Sequence, residues 1–150
     1  MTRDEVLMIV EEARKALKVP DLSRANLSGA SLSWADLRGA KNIPDFVTTS
    51  TTITPEGQFD AWKSCRGNVL VKIRIPAEAR RSNSTTRQCR AEFVDVLEVI
   101  GGEVGISHHD GKTEYRVGQR VTCDKWNKDR WVECGGGIHF FITRHEAEQW

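Results

Sequence analysis

Residues 21–40 read DLSRANLSGASLSWADLRGA. Leucine returns at every fifth place, at Leu22, Leu27, Leu32 and Leu37, and Ala25, Ala30 and Ala35 sit two places before the last three. A period of five matches neither a helix of about 3.6 residues per turn nor the alternation of a strand. A short fixed repeat instead marks coiled or stacked units whose apolar residues face one axis. A short stack of such units has open ends that need caps, because their apolar faces cannot be buried alone.

One cap precedes the repeat. Thr2 stands three residues before Glu5, a capping-box spacing, and Val6, Ile9, Val10, Ala13 and Leu17 follow at helical intervals. An amphipathic helix is expected over residues 3–18, ended by Pro20, so that residues 1–20 form a capping unit. The other cap is expected from the chain downstream. Beginning at Lys41, KNIPDFVTTSTTITPEG is rich in Thr, Ser and Pro, and reads as an extended connection over residues 42–57. Beyond it, QFDAWK, NVLVKIRIP, AEFVDVLEVI, RVGQRVT and WVECGGGIHFFIT are short β-branched or alternating runs bounded by Gly, Pro and Asn. They predict an antiparallel β-rich domain over residues 58–150. Thr143 can cap a short C-terminal helix holding Glu146 and Ala147. The expected fold class is therefore α+β, mainly β with few helices.

The leucine and alanine pattern of residues 21–41 resembles the pentapeptide-repeat family. The resemblance implies a right-handed, square-sided β-helix with one repeat per face, of which this chain would hold a single coil. Charge along that coil is mixed (Arg24, Asp36, Arg38), and one coil lacks the length to imitate duplex DNA, as longer members of the family do. The strings ITPEG, WKSC, VKIRIPAEARRSN, CRAE, VLEV and ECGGGIHFFITRHEAE, running through residues 53–150, are similar to an uncharacterised domain that follows pentapeptide repeats in phage and bacterial proteins. That resemblance implies a domain boundary and a phage or prophage setting, and no mechanism.

The chain has 150 residues, 39% hydrophobic and 29% charged, ordinary values for one folded body with a small appendage. No apolar run approaches the roughly 20 residues of a membrane span, and the first residues, MTRDEVLMIVEEARK, carry acids where a secretion signal would be basic and then apolar. A cytoplasmic protein without membrane contact is expected, in the host cytoplasm if the setting is phage. Cys65, Cys89, Cys123 and Cys134 lie far apart, which reads as reduced thiols in the core. No Cys-x-x-Cys pair or zinc spacing occurs, the nearest approach being Cys134 and His139 with Cys65 and Cys89; neither a metal nor a cofactor is expected.

Net charge is +1, but unevenly spread: between Lys72 and Arg90 six bases face one acid, and from Ala91 onward eleven acids face seven bases. In VKIRIPAEARRSNSTTRQCR, Lys72, Arg74, Arg80, Arg81, Arg87 and Arg90 alternate with Ser84, Thr85 and Thr86. Such donors suit an anionic small ligand, a phosphate or nucleotide. Against this stands a solvated strand face and loop whose bases meet the acidic C-terminal half. The stretch has no aromatic residue, which argues against extended nucleic acid.

In SHHDGKTEY, His108 and His109 precede a glycine turn, and His139 alternates with Ile138 and Phe140; these are candidates for acid–base chemistry near neutral pH. The three glycines of ECGGGIHFF imply a bend at a sheet edge, or close approach of another chain or ligand. The leading expectation is a non-enzymatic phage or prophage accessory protein that binds an anionic small molecule, such as a nucleotide signal in host defence, or a host protein. Alternatives are an enzyme acting on a nucleotide or phosphoester through His108, His109 or His139, and an assembly module whose coil end stacks on another copy.

Overall fold

The computed structural model describes residues 3–16, 22, 32–33 and 35–150, with the backbone alone for Arg3, Val6 and Arg14. Helix α1 spans Arg3–Lys15, with Asp4 and Glu5 in its first turn, where acids complement the positive helix end. Its proposed cap Thr2 and the later helix positions Leu17 and Lys18 lie outside the described residues, as do Leu27, Ala25 and Ala30 of the repeat. The described repeat residues do point inward: Leu22, Leu32, Ala35 and Leu37 are buried together with Val10 of α1. The Leu22 N–H donates to the Lys41 carbonyl at 3.1 Å, so the two ends of the repeat segment meet.

The connection expected to be extended contains a helix. Helix α2 runs Asp45–Thr51 and buries Val47 in the same N-terminal cluster. Pro44 before it has φ −58° and needs no N–H there, and Asp45 supplies an acid to the first turn. The hydroxyls that made the composition look extended bond back along the chain: Thr51 Oγ1 donates to the Val47 carbonyl at 2.7 Å, and Thr52 Oγ1 to that of Thr48 at 2.6 Å. A residue type that competes with helices when exposed is here satisfied by one.

Beyond α2 the chain is antiparallel sheet. Strands β1 (Phe59–Cys65), β2 (Val69–Ile75), β5 (Phe93–Ile100) and β8 (Arg120–Thr122) form one sheet in the order β1-β2-β5-β8. Strands β3 (Arg81–Asn83), β4 (Cys89–Ala91) and β9 (Ile138–Phe140) form a second sheet in that order, and β6 (Gly105–Ile106) pairs with β7 (Glu114–Tyr115) as a ribbon. The sheets touch where Trp62 and Phe141 exchange backbone hydrogen bonds of 2.8 and 2.7 Å. Alternation sets the core: Val71, Ile73 and Ile75 of β2 turn inward with Ala61, Val94, Val96 and Phe140, while Lys72 and Arg74 turn outward. Helix α3, Arg144–Glu148, is held by the capping box expected of Thr143 and Glu146, with both halves formed. Among the described residues no helix is long and apolar enough to cross a membrane.

Candidate functional site

The nine residues proposed to hold an anion do not converge as one set: Ser84, Thr85, Thr86 and Arg87 line one hollow, and the remaining five lie elsewhere. On the outer face of the first sheet, Arg74 Nε meets Asp60 at 2.9 Å and Lys72 Nζ meets the same carboxylate at 3.7 Å, across the β1–β2 register. Arg80 pairs with Glu92 at 2.6 Å, and Arg87 with Glu146. Arg81 donates to the Gly57 carbonyl at 2.8 Å and to that of Pro76, and lies over the Phe59 ring. The hydroxyls are equally engaged: Ser84 with the Trp131 carbonyl at 3.4 Å, Thr85 with that of Ala35 at 2.6 Å, and Thr86 with Glu133. The bases of this stretch meet partners contributed by the rest of the protein.

Arg90 differs from the others. It is 2% exposed, and its guanidinium donates to the carbonyls of Asn127 (2.7 Å), Gly136 (2.9 Å) and Asp129, with its Cζ 5.0 Å from the Trp126 ring centroid. It ties the loop around residues 127–136 to β4. This explains the glycines: a Cβ at Gly135 would stand 3.1 Å from the guanidinium, and one at Gly136 would run into the Lys125 carbonyl. The close approach expected of the glycine run is therefore made by the protein's own chain.

That loop walls a cavity of about 220 Å³, with Lys63, Ser107, His109, Tyr115, Cys134 and His139 around it. A second cavity of about 230 Å³ shares Lys63, His109, Cys134 and His139 with the first and adds His108 and Trp150. The three histidines singled out in the sequence thus meet at one place, His108 and His109 from the turn after β6 and His139 from β9. The His109 and His139 rings are 6.3 Å apart, edge to face.

Lys63 lies between the cavities and sequence reasoning passed over it. The strand FDAWKSC buries Ala61, Lys63 and Cys65 on one phase and leaves Trp62 and Ser64 on the other, so a lysine occupies a core position. It is only 7% exposed, its Nζ donates to the His139 carbonyl at 3.0 Å, and it stands 5.2 Å from the Tyr115 ring centroid. Among the described residues it has no carboxylate ion-pair partner. Burial lowers its pKa from the ordinary lysine value, against opposing pulls from Cys65 and Asp110. Asp110, on the same wall, is committed to Thr113 and to the N–H groups of Lys112 and Thr113, which hold its carboxyl far below the usual range.

His139 is the second unusual group. Burial, helped by Lys63, Arg90 and His109, lowers its pKa to about 4, so the ring is neutral at pH 7. Its Nε2 is buried without a hydrogen-bond partner among the described residues. The cysteines divide: Cys65 and Cys89 are buried, and burial raises their pKa values to about 11 and about 12. Cys123 is half-buried, and Cys134, expected in the core, is exposed at the cavity rim, in the turn that precedes β9. All four are free thiols, and among the described residues no group of three or more His, Cys, Asp or Glu side chains is placed to hold a metal ion. A larger hollow of about 800 Å³, between Ala35, Trp131, Phe141 and Trp150, has mainly apolar walls with Ser84, Thr85, Thr86 and Arg87 among them, and neither Lys63 nor His139.

Comparison with known proteins gives two family matches. Residues 49–147 match the model of a family of unknown function (DUF5758), beginning inside the stretch expected to be a connection, and residues 21–41 match the pentapeptide-repeat model. No curated protein and no solved structure matches the chain.

Proposed function

Matched over residues 49–147, the chain belongs to the family of unknown function (DUF5758), and we propose that this domain is a non-enzymatic binding module that takes a small anionic ligand at Lys63. The observation that supports this is a buried ammonium with one carbonyl acceptor and no carboxylate partner among the described residues, set between two cavities. Taking an ammonium out of water costs several kcal/mol unless charge or hydrogen bonds replace the lost solvation. A carboxylate or phosphate oxygen in the cavity supplies both.

Each cavity falls below the roughly 300 Å³ at which pockets for drug-sized ligands begin, so the ligand is of metabolite size. A nucleotide would have to span both cavities. The phage or prophage setting is part of this proposal, as the context in which a small capture protein would act. The test is a titration followed by backbone NMR, with inorganic phosphate and acetate as probes. Saturable shifts at Lys63, His139 and Gly137 are expected, and their loss in Lys63→Met with the rest of the spectrum retained. Shifts confined to the Lys72–Arg87 stretch would return the anion site to the basic segment and refute this one.

A second reading, turnover of the bound ligand, is favoured by the meeting of His109 with His139 at 6.3 Å beside the exposed Cys134. In it His109 moves protons, while His139, neutral, accepts a hydrogen bond at Nε2 or donates one there, according to its tautomer. Product formation that survives His109→Ala and His139→Ala would remove both residues from any such mechanism.

A further inference from the structure

Lys63 is placed in a way that a mere anion anchor does not require. Its amine sits at the junction of two cavities on the inward phase of β1, with the Tyr115 ring on one side and the His139 carbonyl as acceptor. A salt-bridging lysine gains from an adjacent carboxylate, and this one has none among the described residues. Until an anion binds, burial favours the uncharged amine, and of the two carboxylates on the wall of the first cavity, Asp110 and Asp124, the first is occupied by its own turn. An uncharged lysine amine in a dry cleft is a nucleophile toward carbonyl carbon.

We propose that the cavity captures a small aldehyde bearing an acidic group, as a Schiff base on Lys63 Nζ; this rests on the reading of the cavity as a ligand site. The Nζ lone pair forms a bond to the carbonyl carbon, and the carbonyl π electrons move to oxygen, which takes a proton. The resulting carbinolamine loses that oxygen as water with a second proton, while Nζ gives up its two protons, so amine plus aldehyde become imine plus water. No oxidant or reductant is consumed, and hydrolysis reverses the capture. His109, on the wall of both cavities, is the group placed to carry protons to and from the departing oxygen. Lys125, on the wall of the first cavity, meets the acidic group of the ligand. Such capture is compatible with a binder, since the ligand is held and released unchanged.

The test uses the full chain with glyoxylate, which carries an aldehyde and a carboxylate, and cyanoborohydride, which reduces the imine to a stable secondary amine. Acetate, with the carboxylate and no aldehyde, is titrated in parallel by NMR. Peptide mapping is expected to place the first adduct on Lys63, ahead of the exposed Lys112, Lys125 and Lys128, and His109→Gln is expected to slow its formation without lowering the melting temperature. An unmodified Lys63 beside labelled surface lysines, with acetate still shifting His139 and Gly137, would overturn the Schiff base and leave the anion site standing. An unmodified Lys63 with no acetate shift would overturn both.

Discussion

Arg90→Ala separates the buried guanidinium from the surface bases that share its stretch of sequence. The substitution removes hydrogen bonds to the carbonyls of Asn127, Gly136 and Asp129 and a ring contact with Trp126 at 5.0 Å. Hydrogen bonds to a charged donor contribute about 1.5–3 kcal/mol each, and a desolvated cation–π contact about 2 kcal/mol. Their gross sum of roughly 6–11 kcal/mol is offset by the several kcal/mol it costs to hold a charge out of water. The net loss expected is about 3–5 kcal/mol, near the upper end for single substitutions. At roughly 2–4 °C per kcal/mol for a chain of this size, the melting temperature should fall by about 10 °C. Thermal unfolding followed by circular dichroism measures it, with Arg74→Ala as the control. Arg74 has an exposed ion pair with Asp60, and its loss should leave the transition where it was. A fall for Arg90→Ala no greater than for Arg74→Ala would refute the idea that this arginine holds the cavity loop.

Three further outcomes follow from the same geometry. His139 has a folded pKa of about 4 against about 6.5 when unfolded. The unfolded chain therefore binds more protons between those values, and the stability present above pH 6.5 is lost as pH falls toward 4. The loss should reach about 3 kcal/mol for this group, and denaturant unfolding of His139→Gln should show a flatter pH dependence over that window. Gly136→Ala drives a methyl group into the Lys125 carbonyl, which should cost about 1–3 kcal/mol or more and broaden the NMR signals of the 125–137 loop. Arg130 donates to the carbonyls of Asn83 and Thr48 and to the hydroxyls of Thr51 and Thr52. Arg130→Ala should thus speed hydrogen exchange in α2 while β2 and β5 keep their protection.

The parts of the fold legible in the sequence are those written in local pattern. Val71, Ile73 and Ile75 alternate with Lys72 and Arg74, and the sheet follows that phase. Thr143 and Glu146 have the capping-box spacing, and the cap forms. The family resemblances over residues 21–41 and 53–150 correspond to the matches over 21–41 and 49–147. Helix α2 was hidden because its threonines carry weak helix propensity, overridden by Val47 burial and by hydroxyl bonds along the helix. Three histidines were legible as candidates, but their meeting depends on how the β6–β7 turn lies against β9. The use of Arg90 was not legible either: its carbonyl acceptors lie 37 to 46 residues away, in a loop without sheet pattern. Lys63 was the recoverable omission, since Ala61, Lys63 and Cys65 share a phase and a charge on the core phase of a strand marks a site to inspect.

The central claim is that a buried, carboxylate-free Lys63 anchors an anionic ligand beside His139. The most direct measurement is a titration of wild-type protein with acetate and with inorganic phosphate, reading the Lys63 side-chain signal and the His139 ring by NMR. The account predicts saturable shifts of both groups together, competed between the two anions. Flat signals at Lys63 and His139 up to concentrations at which the exposed arginines respond would contradict it.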